Sequence, residues 1–236
     1  MTETRRRVVV TGAAGRIGRA IAPLLPSDWD VRGTDLVAGD GISALDVGDS
    51  DACRLAFNGA DAVVHLAAVP DPAAPWEQLL PANVVGAYQV ARAAADCGVS
   101  RLVLASSLHA VSAMPDGTQS RAGDSPSPGN LYGATKAWAE ALGAWLAATT
   151  TTSVVALRIG YFAEQRPDPA SVPARELSAW LSPRDAAELV RAAVEATGST
   201  FVVANGISAN RYRVADLHQT MQQLSYRPVD DAWSDQ

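Results

Sequence analysis

Short apolar segments alternate along the chain with longer segments of helical period. The apolar segments are rich in Val, Leu and Ala and contain few polar residues, which is typical of parallel strands covered on both faces. Strands are predicted at residues 8–11, 30–34, 62–66, 102–106, 154–158 and 200–204. Helices are predicted at residues 16–25, 51–58, 83–97, 131–148, 184–197 and 214–224. This alternation predicts an α/β fold built on a doubly wound parallel sheet.

Helix ends and loops also carry local signals. Ser182, followed by Pro183 and Asp185, is typical of a helix start, because serine caps the first turn and the acid lies near the positive end of the helix dipole. Gly198 is expected to close that helix. Residues 113–130 and 164–173 are rich in Pro and small polar residues, so we predict surface loops, the first long enough to indicate a function.

Composition and charge exclude several classes of protein. The chain has 236 residues, 48% hydrophobic and 19% charged, with a formal net charge of -6. That balance offers no basic field for nucleic acid, so no such partner is expected. No apolar run approaches bilayer length and the first residues lack a signal-peptide core, so we expect no membrane contact and a cytoplasmic location. Cys53 and Cys97 are predicted to be buried reduced thiols, and no ligand spacing indicates a metal site.

A glycine-rich turn follows the first predicted strand and leads into the first predicted helix. It runs Thr11-Gly12-Ala13-Ala14-Gly15-Arg16-Ile17-Gly18. Glycines at this spacing let the backbone turn tightly and approach a diphosphate, and the free N–H groups of the helix start then face that anion. Because the strand and helix accompany the glycines, we interpret the turn as a dinucleotide-binding turn of a Rossmann-type fold rather than a purely structural one.

Asp35 ends the next strand, about twenty residues further on. A carboxylate there accepts hydrogen bonds from the adenosine ribose and repels a 2'-phosphate, so NAD is favoured over NADP. Two alternatives stay open: Asp35 begins a turn only, or Arg16 or Arg32 counters its charge.

Tyr132 and Lys136 lie four residues apart at the start of a predicted helix, so they share one helix face. A tyrosine titrates near about 10, and its use as a base near neutrality needs a pKa lowered by roughly two to three units. A neighbouring ammonium group lowers a pKa in that direction. The pair therefore indicates proton transfer at a hydroxyl, with an ordinary surface helix as the alternative.

Together these elements resemble the extended short-chain dehydrogenases, the family of NAD-dependent epimerases and dehydratases, over almost the whole chain. Further matching segments are Asp46-Val47, His65-Leu66-Ala67-Ala68, Asn83-Val84-Val85-Gly86 and Ser106-Ser107. The resemblance implies that Tyr132 is the acid or base at the reacting hydroxyl. It also implies that Lys136 binds the nicotinamide ribose and lowers the pKa of Tyr132, and that Ser107 hydrogen-bonds the same substrate oxygen.

The resemblance further implies a set of cofactor contacts. Asp46 and Val47 would meet the adenine, and Asn83 would support the geometry of the active-site helix. The expected cofactor-binding residues are Gly12, Ala14, Gly15, Arg16, Ile17, Gly18, Asp35, Leu36, Asp46, Val47, Leu66, Ala67, Ala68, Asn83, Tyr132, Lys136 and Ile159. In the structural alternatives, Ser107 only ends a strand and Asn83 only caps a helix, while His65 is interpreted as a core residue.

Within that family the chain resembles the uronate dehydrogenases, which oxidise the C1 hydroxyl of a hexuronate to an aldarolactone. The resemblance lies in residues 104–109, 157–160, 175–182 and 205–210. It implies that His109 and Arg175 contact the substrate, Arg175 as a two-pronged donor to a carboxylate or else as a surface ion-pair partner. Leu108, Pro70 and Tyr161 stand where those enzymes carry other residues, which leaves the substrate open among sugar acids and related alcohols.

These observations predict an NAD-dependent dehydrogenase that transfers hydride from a small sugar-acid or polyol hydroxyl to NAD. The alternatives are a nucleotide-sugar epimerase or dehydratase, for which the segment after Arg158 is short, and a non-catalytic NAD sensor, which tends to lack the tyrosine. We expect one domain over residues 1–236, with residues 1–159 mainly binding the cofactor and residues 160–236 forming a small substrate lobe. A homodimer is expected through the helices at residues 83–97 and 131–148.

Overall fold

The computed structural model describes residues 5–115 and 117–234, and a parallel seven-stranded sheet forms its centre. Its strand order is β3-β2-β1-β4-β5-β6-β9, with every pairing parallel. The strands are β1 (Arg6–Thr11), β2 (Trp29–Asp35), β3 (Ser43–Ala44), β4 (Ala62–His65), β5 (Arg101–Ser107), β6 (Ser153–Ile159), β7 (Tyr161–Phe162), β8 (Trp180–Leu181) and β9 (Phe201–Gly206). The direction of winding changes beside β1, where ligands bind in such folds. The predicted Rossmann-type α/β fold is confirmed.

Helices cover both faces of this sheet. They are α1 (Arg16–Ile21), α2 (Ser50–Phe57), α3 (Trp76–Leu79), α4 (Ala87–Asp96), α5 (Leu131–Thr149), α6 (Ala174–Ser178), α7 (Pro183–Glu195) and α8 (His218–Leu224). Side chains alternate along β1: Val8 and Val10 pack in the core that holds α1 and α7, and Val9 packs in the core that holds α2, α4 and α5. Burial on both faces explains why the strands read as continuous apolar runs.

The chain after β6 serves two parts of the molecule. β7 and β8 pair with each other in a small second sheet, and α6 lies between them in sequence. In contrast, α7 and β9 return to the main sheet, β9 as its edge strand beside β6. Residues 160–234 therefore contribute to both the small second sheet and the central sheet.

Every predicted strand is present, while several helix boundaries differ. Ser182 caps α7 as predicted, its Oγ accepting the Asp185 N–H at 3.1 Å, although the helix ends at Glu195, before Gly198. The helix predicted from residue 83 starts as a π-helical segment, Leu80–Gly86, that precedes α4. The helix predicted from residue 214 begins only at His218, because the backbone of residues 214 and 216 hydrogen-bonds to Ser120. Among the residues that the structure describes, no helix is long and apolar enough to span a membrane.

Candidate active site

A cleft of about 460 Å³ lies at the carboxyl edge of the sheet, where the strands end and their loops converge. Ser107 enters it from the end of β5, and Tyr132 and Lys136 enter it from the first turns of α5. Arg16 at the start of α1 and Arg175 on α6 also line the cleft. The predicted catalytic residues therefore come together in a single cleft, although they lie on different elements.

The glycine-rich turn is shaped by contacts that exclude side chains. Gly12 has a φ of +73°, and a Cβ there would lie 2.5 Å from the backbone nitrogen of Ala67. A Cβ at Gly18 would lie 2.5 Å from the carbonyl oxygen of Gly12. Gly15 is the N-cap residue of α1 and has no side chain to cap it, so the first N–H groups of the helix are available to an anion. This cradle fits a dinucleotide diphosphate.

Asp35 lies at the end of β2, next to the turn, and is half-buried. One carboxylate oxygen accepts the Ala14 N–H at 2.9 Å and the other accepts the Leu36 N–H at 2.8 Å. Asp35 thus stabilises the glycine turn through Ala14, a role separate from its expected contact with the adenosine ribose. Arg32 is committed to Asp30 at 3.1 Å, so it does not serve as the alternative counter-charge for Asp35.

The remaining expected cofactor residues fall into two groups. Leu66, Ala68, Ile17 and Ile159 line the cleft with Arg16, and Ala67 lies against Gly12. Asp46 and Val47 lie beyond β3, outside the residues that line the cleft, where Asp46 is exposed and Val47 packs against the Gly86 backbone.

Asn83 is buried and uses its whole side-chain amide to join two segments. Its Oδ1 accepts the Val69 N–H at 2.8 Å, and its Nδ2 donates to Val69 O at 3.1 Å and to Thr135 Oγ1 at 3.2 Å. Because Thr135 lies on α5 beside Lys136, Asn83 joins the loop after β4 to the helix that carries Tyr132 and Lys136. Its side chain accordingly acts on the position of α5 rather than as a helix cap.

Tyr132, Lys136 and Ser107 are all less than a tenth exposed. The Lys136 ammonium donates to the carbonyl oxygen of Ala105 at 2.9 Å and lies 5.6 Å from the centre of the Tyr132 ring. Burial lowers the pKa of Lys136 to about 8. The protonated form of Lys136 is therefore destabilised by its loss of hydration, although it lies next to Tyr132 inside the cleft.

The pKa of Tyr132 differs from expectation. Burial raises this pKa, whereas hydrogen bonding with Ser107 and the positive charge of Arg16 lower it by less. Lys136 is not among the groups that lower this pKa, although its ammonium lies 5.6 Å from the centre of the Tyr132 ring and donates to the Ala105 carbonyl. Sequence reasoning also missed the electrostatic influence of Arg16 on Tyr132, since the two residues are remote in sequence.

His109 and Arg175 lie in the cleft as expected for substrate contacts. The His109 ring meets the Tyr132 ring edge-on at 5.6 Å, and its Nδ1 is 2.9 Å from Asn130 Nδ2. Burial, followed by the charge of Arg175, lowers the pKa of His109, so both favour the neutral form of this imidazole. Arg175 is exposed, and no ion pair among the described residues includes it, so the surface-pair alternative has no partner within that part of the chain.

The three positions that depart from the uronate dehydrogenase pattern all line this cleft. Leu108, Pro70 and Tyr161 line it together with Phe162 and Glu176, which the sequence did not indicate. The wall of the cleft is therefore more apolar than a site built only from sugar-hydroxyl partners.

His65 and the cysteines are structural. The buried His65 has its Nδ1 2.8 Å from Thr11 Oγ1, and burial lowers its pKa to about 3, as expected of a core histidine. Cys53 is a buried free thiol, whereas Cys97 is only half-buried, contrary to prediction, because it lies at the end of α4. Within residues 5–115 and 117–234, no group of three or more His, Cys, Asp or Glu side chains could hold a metal ion.

A parallel sheet, a glycine cradle and a Tyr–Lys–Ser cleft define a dinucleotide-dependent enzyme of the short-chain dehydrogenase type. The model of the NAD dependent epimerase/dehydratase family matches residues 8–183. The chain belongs to this family.

Within this family, the chain is similar to several sugar dehydrogenases. The chain is 37% identical to an L-arabinose 1-dehydrogenase (NAD(P)(+)) of Haloferax volcanii, over 96% of this chain and 97% of that protein. It is 32% identical to a uronate dehydrogenase of Agrobacterium fabrum, over 96% of this chain and 86% of that protein. The crystal structure of a glucuronic acid dehydrogenase from Chromohalobacter salexigens superposes with a TM-score of 0.87 at 31% identity, covering 97% of this chain and 86% of that one. The predicted class, an NAD-dependent oxidoreductase similar to uronate dehydrogenases, is confirmed.

Proposed function

We propose that the protein oxidises a hydroxyl of a small sugar or sugar acid, with Tyr132, Lys136 and Ser107 as its catalytic residues. The observation that carries this proposal is the convergence of these buried side chains in one cleft beside the glycine turn. A tyrosine with an adjacent serine and lysine moves a proton at an alcohol oxygen, which is the chemistry that hydride removal from a CH–OH group requires.

The glycine turn would hold NAD, with its first helical N–H groups at the diphosphate and Asp35 at the adenosine ribose. The contacts of Gly12 and Gly18 support this assignment, because each leaves no room for a Cβ. NAD, when bound, supplies the hydride acceptor. The carboxylate of Asp35 disfavours a 2'-phosphate and so favours NAD over NADP.

Within the cleft, Tyr132 takes the proton of the substrate hydroxyl and Ser107 hydrogen-bonds the same oxygen. Burial holds the pKa of Tyr132 above its usual value, so the deprotonated tyrosine needs support from positive charge. Arg16 supplies part of it, and Lys136 supplies more when its ammonium turns from the Ala105 carbonyl toward the reacting groups. We propose that the rate of oxidation rises with pH while Lys136 keeps its charge, and stops rising as Lys136 loses that charge near its pKa of about 8.

Arg175 supports a substrate with an acidic group. Its guanidinium is exposed at the cleft, and a planar donor pair suits a carboxylate. A second candidate is a neutral aldose. The apolar side chains of Leu108 and Pro70 and the full-length similarity to an enzyme of L-arabinose favour this candidate.

The test is an assay of NADH formation with purified protein and NAD. The substrates are glucuronate, galacturonate, L-arabinose, galactose and glucose 6-phosphate, with NADP and the Tyr132→Phe variant as controls. Activity on the uronates alone supports the acid-binding role of Arg175, and activity on the neutral aldoses supports the second candidate. Turnover of a nucleotide sugar without net NADH would instead identify an epimerase, and NAD binding without any turnover would identify a sensor.

We further propose that two copies pair through α4 and α5. One face of α5 is exposed, and before the terminal Thr149 its exposed residues are all apolar: Leu131, Ala134, Trp138, Ala141, Trp145 and Ala148. Trp138 and Trp145 are 41% and 42% exposed, and Tyr88 on α4 is 41% exposed. Such a continuous apolar face is typical of an interface. Sedimentation of the protein and of its Trp138→Glu variant tests this: a dimer that becomes a monomer supports it, and a wild-type monomer contradicts it.

We also propose a cytoplasmic location, which the free thiols and the use of NAD favour.

A further inference from the structure

Behind the catalytic cleft, a buried ion pair joins the catalytic helix to the sheet. Glu140 on α5 is 4% exposed and Arg158 on β6 is 1% exposed. The guanidinium donates from Nε to one carboxylate oxygen and from Nη2 to the other, both at 2.8 Å. A two-pronged pair of this kind fixes both the distance and the orientation between the elements that carry it.

The same carboxylate also holds the strand that carries the catalytic serine. Ser106 Oγ donates to Glu140 Oε1 at 2.6 Å, and Ser107 is the next residue. One helical turn before Glu140, Lys136 donates to the carbonyl of Ala105 at 2.9 Å. Successive residues of β5 are thus tied to successive turns of α5, immediately beside Ser107.

Arg158 extends the connection to the long loop at residues 113–130. Its Nη1 donates to Arg121 O at 3.3 Å and its Nη2 donates to Asp124 O at 3.0 Å. This loop leads into α5 through Asn130, whose Oδ1 caps the helix at the Gly133 N–H, 2.8 Å away, and whose Nδ2 meets His109. The arginine therefore restrains the loop through which the helix of Tyr132 begins.

Stability alone does not explain a buried pair of this kind. Well-packed apolar residues of similar volume often stabilise a core as well as a buried ion pair does or better, because both ions lose their hydration. What the pair supplies is a fixed geometry: its hydrogen bonds reach β5 and α5, which each carry residues of the cleft, and the loop that leads into α5. A shift of about 1 Å between such groups can cost about 100-fold in rate.

We propose that Ser106, Glu140 and Arg158 are positioning residues that keep Ser107 and Tyr132 in register for proton transfer. This inference rests on the proposed dehydrogenase function, and none of the three is required to touch the reacting atoms. Loss of the network should alter kcat and the titration of Tyr132 while cofactor binding persists, since Gly12 and Asp35 lie on other elements.

The first test compares Ser106→Ala with a matched control, Thr152→Val. Thr152 is equally buried, and its Oγ1 donates to Val99 O at 2.8 Å near the opposite end of β6. We expect kcat of Ser106→Ala to fall about tenfold, with KM for NAD within about twofold of the wild type, because the strand end loses its tie to α5. Thr152→Val should lower Tm by about as much as Ser106→Ala does, and it should leave kcat within about twofold of the wild type. Equal kcat values in the two variants would overturn the inference.

A second test does not depend on turnover. The tyrosinate absorbance of Tyr132 is measured against pH as the difference between each protein and the same protein with Tyr132→Phe. Because hydrogen bonding with Ser107 lowers the pKa of Tyr132, Ser106→Ala should raise that pKa and Thr152→Val should leave it unchanged. An unshifted titration in Ser106→Ala would contradict the network, even if no sugar proves to be a substrate.

The double variant Glu140→Gln/Arg158→Met removes both buried charges together and avoids an unpaired ion. We expect it to fold, to bind NAD and to lose at least as much kcat as Ser106→Ala. Wild-type kcat and an unchanged Tyr132 titration in this variant would show that the pair is structural only. An inactive wild-type protein would instead refute the proposed function, with the titration still deciding the network.

Discussion

The two edges of the central sheet hold cavities of similar size and different chemistry. The amino edge encloses about 490 Å³, lined by Arg6, Asp61, Ser100, Arg101 and Glu195, among others, and the carboxyl edge encloses about 460 Å³. At the amino edge Arg6, Asp61 and Glu195 are exposed, and the side chains of the Arg6–Glu195 pair are 43% and 36% exposed. Arg101 is the buried exception there, and its guanidinium donates to the carbonyl oxygen of Ala196. At the carboxyl edge, Lys136 and Tyr132 are buried with shifted pKa values.

The difference shows that cavity size does not locate function in this fold. Parallel strands send all their carboxyl ends, and the loops that follow them, to one edge, so residues remote in sequence meet there. Buried titratable groups need a structure that compensates for their desolvation, and they concentrate at functional sites. Variants at the carboxyl edge should therefore change chemistry, whereas matched variants elsewhere should change stability only.

The largest expected effect is that of Tyr132→Phe. Loss of the hydroxyl removes the proton acceptor, so kcat should fall by about 1000-fold or more while NAD still binds. The matched control is Tyr226→Phe, which removes a buried hydroxyl that donates to Ile207 O at 3.0 Å, away from the cleft. It should cost about 1 kcal/mol of stability and leave kcat unchanged. Steady-state kinetics and calorimetric titration of NAD check both variants. Comparable kcat losses in the two would contradict the claim that only variants in the cleft change the chemistry.

Substitution of Arg175 should have the next largest effect. If the substrate is a sugar acid, Arg175→Ala should raise its KM by about 10- to 100-fold with little change in kcat, because a charge-assisted hydrogen bond contributes about 1.5 to 3 kcal/mol. Arg6→Ala at the amino edge should change neither constant. Initial rates over a range of uronate concentrations give the answer, and an unchanged KM would remove Arg175 from the site.

Asp35 should produce a smaller effect, on cofactor choice. Asp35→Asn removes the charge that repels a 2'-phosphate, so the preference for NAD over NADP should fall by about tenfold. KM for NAD should also rise, because the hydrogen bond from the Ala14 N–H to the Asp35 side chain, which holds the glycine turn, becomes weaker. Asp61→Asn at the amino edge serves as the control and should leave the ratio of kcat/KM for the two cofactors unchanged. A constant ratio in both variants would contradict the assignment of Asp35.

The last prediction concerns stability rather than catalysis: the dependence on pH that His65 introduces. Its pKa of about 3 in the folded state lies below the unfolded value of about 6.5, so the unfolded state binds the extra proton and stability falls as pH drops through that window. At pH 5 the loss from this group is about 2 kcal/mol. His65→Asn should flatten this part of the stability curve, and the exposed His218→Asn should not. Urea unfolding at several pH values measures it; identical slopes in all proteins would rule out His65 as the source.

Local signals explain what the sequence predicted. Each of these signals lies within a short stretch of sequence: the glycine turn, Asp35 at the end of a strand, and the spacing of Tyr132 and Lys136. The strands could be predicted because burial on both faces makes them continuous apolar runs. The Glu140–Arg158 pair, the approach of Arg16 to Tyr132 and the direction of the Lys136 ammonium depend on contacts between distant segments. The late start of α8 has the same origin, since residues before it pair with Ser120 instead of forming helix.

The central claim is that hydride leaves a sugar carbon and remains on the cofactor. The most direct measurement follows deuterium from C1-deuterated substrates, galacturonate and L-arabinose, into NAD by mass spectrometry of the recovered nucleotide. We predict that each turnover yields one molecule of reduced cofactor carrying the label, and that Tyr132→Phe yields none. Recovery of unlabelled, oxidised NAD together with a converted sugar would contradict the account and indicate an epimerase instead.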